Sequence, residues 1–112
     1  MENRFDREMK KGVLEMLVLH LICGRPAYGY ELLSRLREGG FDLKEGTLYP
    51  ILYRLEDDGF IASAWSSGEG KAVPKKMYRA TEAGLREGLR REALWGSFTQ
   101  TVNQILSGGN AQ

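Results

Sequence analysis

The chain has 112 residues, 42% of them hydrophobic and 28% charged, which bounds it to one globular domain and excludes a wholly disordered chain. Its formal net charge of +1 excludes a globally basic nucleic-acid binder, so a DNA reader would have to concentrate its positive charge locally. The single cysteine, Cys23, excludes an internal disulfide, and no apolar run reaches the length of a membrane span.

The first stretch, "MENRFDREMKKG", is charged with mixed sign, unlike a signal peptide, and a cytoplasmic protein without a membrane partner is expected. From 5 to 23 the pattern is helical. Phe5, Met9, Val13, Leu17 and Leu21 recur every four residues, with Leu14 and Val18 beside them. "GRPAYG" (Gly24–Gly29) reads as a break rich in Gly and Pro. A second helix runs through "YELLSRLRE", with Leu32, Leu33 and Leu36 inward, and Gly39 and Gly40 end it. "FDLK" leads into "EGTLYPILYRLEDDGF", where Leu48, Ile51, Leu52 and Leu55 mark a third helix closed by Gly59.

The pattern then changes. "FIASAW" (Phe60–Trp65) and "KKMYRA" (Lys75–Ala80) read as two strands around the loop "SSGEGKAVP". Thr81 is the expected N-cap of a last helix from Glu82 to about Ser107. Three helices and a two-stranded hairpin are the order of a winged helix-turn-helix, an α+β and mainly helical class. The expected organisation is a winged-helix unit over 1–80, a dimerisation helix over 81–107 and a flexible tail over 108–112. The first helix is expected to share in the dimer interface.

Local charge supports DNA. Between Ser66 and Arg79 four basic residues (Lys71, Lys75, Lys76, Arg79) face Glu69 alone, a balance of +3. Lysines at a hairpin tip suit phosphate contact, although they also guard an edge strand. Glu56, Asp57 and Asp58 crowd the end of the third helix, where phosphates would repel them. That leaves its start as the DNA-facing end. There Pro50 cannot donate to the carbonyl of Gly46, and glycine is expected to absorb the strain and let a phosphate approach. Thr47 can bond a phosphate or a base edge. Tyr49 and Tyr53 share a face away from the leucine stripe, suiting phosphate contact or covering the core rim. Arg54 is a further contact or simply solvated. Tyr28 and Tyr30 flank Gly29 where the second helix would cross the DNA backbone, or pack on the third helix.

"AYGYELLSRL", "EGTLYPILYRLEDDGFI" and "KKMYRATEAG" resemble the PadR family of bacterial transcriptional regulators, over about Gly12 to Gly84. The resemblance implies a winged-helix dimer on an inverted-repeat operator, usually a repressor, released in many members by a small effector or stress signal. It places DNA contact at Thr47, Tyr49 and Tyr53, and also at Tyr28, Tyr30 and Lys75. Lys44 departs from the Ser or Asn the family often has as a helix cap. Either Asp42 caps instead, or the helix start is weaker and Lys44 adds a phosphate contact.

The single last helix resembles the compact branch of the family, in which it packs with the first helix to form the dimer. The sequence agrees. Leu85, Leu89 and Ala93 form one stripe, and Leu94, Phe98, Val102, Ile105 and Leu106 continue apolar spacing. With Phe5 and Met9 of the first helix, these residues are the expected dimer interface. Gly84, Gly88 and Gly96 would permit close approach. Trp95 is expected to anchor that interface or line an effector pocket beside the twofold axis, and Trp65 to pack at the wing base. No enzyme, cofactor or metal is expected. His20 reads as a core-rim residue with no second ligand, and Cys23 has no basic partner to activate it. The alternative is a winged-helix module that binds protein without specific DNA.

Overall fold

The computed structural model describes residues 2–66, 70 and 73–108. Helix α1 (Arg4–Gly24) opens on a reciprocal cap, Asp6 N donating to Asn3 Oδ1 at 3.0 Å and Asn3 N to Asp6 Oδ2 at 3.2 Å. Only its second half is buried, through Leu14, Val18, Leu19 and Ile22. Phe5 and Met9 stand in solvent. His20 is exposed rather than on the core rim. It follows buried Leu19 by one residue, a turn of about 100° off the buried stripe.

The Gly/Pro break contains a two-residue strand, β1 (Ala27–Tyr28), ahead of α2 (Gly29–Glu38) and α3 (Glu45–Asp57). Strands β2 (Ile61–Trp65) and β3 (Lys76–Ala80) form the wing hairpin, and α4 (Glu82–Leu106) follows. The sheet order is β1-β3-β2, all antiparallel, with Ala27 opposite Tyr78, Ile61 opposite Ala80 and Trp65 opposite Lys76. The expected hairpin therefore gains a third strand. Two residues carry no periodicity, so β1 exists only through its pairing with β3.

The core joins α1, α2, α3 and the sheet. Leu32, Leu48, Leu52, Leu55 and Ile61 are almost fully enclosed, and no buried hydrophobic side chain comes from α4. Gly59, with φ of +82°, makes the left-handed turn that ends α3 and starts β2. Thr81 caps α4, accepting from Gly84 N at 3.0 Å and donating from its hydroxyl to Gly59 O at 2.7 Å. Gly84 has no alternative. A β-carbon there would collide with the Phe60 carbonyl. One turn on, Gly88 lets the Cys23 sulfur come against α4, and Gly96 faces open space.

Pro50 sits inside α3 without ending it. Gly46 keeps a negative φ, and a β-carbon on it would meet nothing within 4 Å. The expected steric compensation between Gly46 and Pro50 is therefore corrected: Gly46 needs neither glycine's freedom nor its small size for any contact within this chain.

Candidate nucleic-acid interface

Lys44 is the N-cap of α3 and makes no side-chain cap bond, and Asp42 does not cap in its place. Of the two alternatives at this helix start, the uncapped one is observed. The Lys44 carbonyl accepts from Thr47 N at 2.9 Å and Leu48 N at 3.1 Å. The amides of Glu45 and Gly46 precede those bonds and have no partner one turn back. Lys44, Gly46 and Thr47 are exposed around them. Free amides, a lysine and a hydroxyl at a helix N-terminus form a surface that favours an anion.

Tyr53 is 71% exposed and projects fully from α3. Tyr49 is half-exposed, and its ring lies against Gly29, where a β-carbon would collide with it. That approach joins the start of α3 to the start of α2. Tyr28 and Tyr30 flank Gly29 and stack at 5.9 Å with an interplanar angle of 8°. Tyr28 is held in place twice. Its amide donates to Glu31 Oε1 at 2.8 Å, and β1 pairs it opposite Met77 of β3. The same pairing brings Lys75, whose Nζ sits 4.9 Å from the Tyr30 ring centroid and 5.7 Å from that of Tyr28.

Lys76 belongs to a different cluster. Alternation along β3 places it on the Tyr78 face, which turns toward α3, where Ser63 Oγ donates to Glu56 Oε2 at 2.7 Å. Its Nζ lies 5.8 Å from the Trp65 ring and 5.9 Å from that of Tyr78. Trp65 is 68% exposed, so it does not pack at the wing base as expected. It ends β2 beyond the last core position, with the Lys76 ammonium beside its ring. Lys71 lies outside the described residues.

Arg54 is not free in solvent. Its Nη2 bonds Glu15 Oε2 of α1 at 3.3 Å. Glu56 is engaged with Ser63, while Asp57 and Asp58 are exposed at the far end of α3. The helix thus has an uncapped, polar and aromatic start and an acidic end.

The second exposed surface is apolar. On α4, Leu85, Leu89, Leu94, Trp95, Phe98, Val102, Ile105 and Leu106 all face outward, as do Phe5 and Met9 on α1. A groove of about 300 Å³ runs between α1 and α4, lined by His20, Cys23, Leu85, Gly88, Leu89 and Glu92, and Trp95 lies outside it. Burial pushes the Cys23 thiol up, away from reactive character, and its sulfur donates to the Gly84 carbonyl at 3.5 Å. Among the described residues no three His, Cys, Asp or Glu side chains gather as a metal site. No described helix is long and apolar enough to cross a membrane.

Sequence reasoning did not find Glu15, Glu87 and Arg91. Glu87 and Arg91 have a readable four-residue spacing, but Glu15 meets Arg54 across 39 positions and carries no local signal.

Three helices, a wing sheet and an uncapped third helix beside a tyrosine–lysine cluster define a winged helix-turn-helix protein. The family model described as "Transcriptional regulator PadR-like family" matches residues 18–90. The transcriptional regulator Rv3488 of Mycobacterium tuberculosis is 34% identical over 99 residues, 80% of this chain and 91% of that protein. The negative transcriptional regulator PadR of Bacillus subtilis is 35% identical over 78 residues, 67% of this chain and 42% of that protein. Among solved structures, a PadR family transcriptional regulator from Eggerthella lenta superposes with a TM-score of 0.81 at 40% identity, covering 89% of this chain and 87% of that one. A PadR-like regulator from Bacillus cereus gives 0.77 at 34% identity, with 88% and 96% covered. The chain belongs to the PadR-like family of transcriptional regulators, whose members are regulators and not enzymes.

Proposed function

We propose that the protein is a sequence-specific repressor that binds an inverted-repeat DNA operator as a homodimer. The single observation that carries this reading is the contact of Tyr49 with Gly29. It sets the polar start of α3 beside the Tyr28–Tyr30–Lys75 cluster, so one continuous surface offers hydroxyls, amides and cations. In this reading α3 enters a major groove, with Thr47, Tyr49 and Tyr53 toward bases and sugar-phosphate. Lys44 and the Gly46 backbone take a phosphate at the helix start. Tyr28 and Tyr30 meet the DNA backbone, and Lys71, Lys75 and Lys76 bring the wing to flanking phosphates. The name of the Bacillus subtilis relative, a negative regulator, supports repression.

The dimer joins Phe5 and Met9 of α1 to Leu89, Leu94, Trp95, Phe98, Val102, Ile105 and Leu106 of α4. Shape supports it. The radius of gyration is 16.8 Å, whereas a self-contained globule of this length has about 13 Å. A 25-residue helix that places no hydrophobic side chain in the core needs a partner to cover it. Trp95 would meet its symmetry mate near the twofold axis. An apolar or aromatic effector there would alter the separation of the two α3 helices and release the operator. The cytoplasm is the compartment in which this activity operates.

The test is a salt titration of DNA binding. The wild type should lose affinity steeply as salt rises, and Lys75→Ala should flatten the log–log slope by about one phosphate contact. A flat response, with no preference among DNA sequences, would assign this surface to a protein partner instead.

A further inference from the structure

One carboxylate ties three elements together at the C-terminal end of α3. Glu15 of α1 uses both oxygens: Oε2 meets Arg54 Nη2 of α3 at 3.3 Å, and Oε1 faces Arg91 Nη1 of α4 at 3.7 Å. Arg91 is fixed from behind. Its Nε donates to Glu87 Oε2 at 2.7 Å, and its guanidinium lies 5.3 Å from the centroid of Phe60, the residue that carries the chain from α3 into β2. Glu87 is fixed in turn by Arg90, whose Nε and Nη2 donate to its two oxygens at 2.9 and 2.8 Å. The Glu15, Arg91 and Glu87 side chains are 25%, 20% and 14% exposed, so the cluster is largely shielded, whereas Arg54 is 53% exposed.

We propose that Glu15 is a positioning residue that fixes the angle between α3 and α4 and thereby sets the half-site spacing the dimer accepts. The proposal rests on the reading of this chain as a DNA-binding dimer. Partly exposed ion pairs add little to stability, so stability alone gives this three-way arrangement no purpose. Geometry does. The root of α4 meets the rest of the protomer through Gly84 on Phe60, Gly88 on Cys23 and this charge cluster, while Trp95, Phe98 and Ile105 beyond it are exposed. A helix of 25 residues is about 37 Å long, so a tilt of about 5° at its root moves its far end by about 3 Å. One base pair of B-DNA is a rise of about 3.4 Å. An α4 held by its partner and loose at its root would therefore let the two α3 helices drift by about one base-pair step. The Arg54–Glu15–Arg91 link closes that freedom, because it connects α3 to α4 through one α1 carboxylate instead of through the sheet.

The experiment uses an operator selected by the wild-type protein from random DNA. Failure to select one would sink the DNA-binding reading and is thus distinct from failure of this proposal. Affinities are then measured for operators with one base pair inserted or removed between half-sites. The wild type should prefer the selected spacing, and Glu15→Gln should reduce that preference by roughly tenfold with an unchanged melting temperature and dimer. Arg54→Gln should do the same, and the double variant should lose no more than either single one. Unchanged spacing preference in Glu15→Gln overturns the proposal, as do additive losses in the double variant. So does an Arg54→Gln variant that weakens every spacing equally, because Arg54 is then a phosphate contact. Should Glu15→Gln not fold, Arg54→Gln alone decides by the same criterion.

Discussion

The winged unit and α4 are built on opposite terms. Between Leu14 and Tyr78, leucines and isoleucines from three helices and a sheet enclose one another, and Leu32, Leu48, Leu52 and Leu55 keep at most 1% of their surface exposed. Helix α4 buries only Gly84 and turns eight large apolar side chains outward. Both regions are rich in apolar residues at helical spacing, so the difference lies in the partner. The first region completes itself within one protomer. The second is left uncovered within the protomer, and in the proposed reading a second copy covers it. In the proposed function the same division assigns the roles: the closed unit supplies a rigid frame for α3, and the open helix would supply the symmetry.

That contrast is broken most forcefully from the core side. Leu52→Ala should lower the unfolding free energy by about 2–5 kcal/mol, measured by chemical denaturation, because the site is enclosed on every side. Phe98→Asp should have the opposite profile. Helical content should persist while sedimentation shows monomers in place of dimers. If Phe98→Asp unfolds the protomer instead, α4 belongs to the core after all.

Smaller effects separate fold from recognition within α3. Gly46→Ala should stabilise the protein by about 0.8–1 kcal/mol, since alanine is the better helix former and the site is open. It should also weaken operator binding, because in the proposed reading the new methyl group stands where a phosphate would approach. Thr47→Ala should cost about tenfold in operator affinity with little change in melting temperature. A Thr47→Ala protein that melts early would make this threonine structural.

The smallest effect concerns pH. Hydrogen bonds from Arg90 and then Arg91 hold the Glu87 carboxyl down to about 2. A carboxylate with a depressed folded pKa contributes stability that is present above its ordinary value, near 4.5, and lost as pH falls toward 2. Glu87→Gln should therefore lower stability slightly at neutral pH and flatten the acid limb between those values, so that the two proteins converge as pH falls toward 2.

The sequence spelled out whatever repeats within a few residues. The leucine spacing of α2 and α3, the Thr81 cap and the unpartnered stripe of α4 are local patterns and could be read directly. The candidate interface residues Thr47, Tyr49, Tyr53, Tyr28, Tyr30 and Lys75 were nameable from residue type and order. Their arrangement was not. The Tyr28–Tyr30 stack depends on a two-residue strand that exists only by pairing with β3, and the seat of Tyr49 depends on Gly29, twenty positions away in the chain. Trp65 and His20 were misplaced for a related reason, because their burial is decided by where neighbouring elements end. The Glu15 link is the extreme case, a contact between charged side chains whose spacing encodes nothing.

Selection of bound DNA from a random pool tests the central claim most directly. The account predicts an inverted repeat whose half-site centres lie about one helical turn apart, roughly 34–36 Å. It also predicts that Thr47→Ala fails to enrich that repeat. Enrichment of an isolated half-site, or of no sequence at all, would contradict the account.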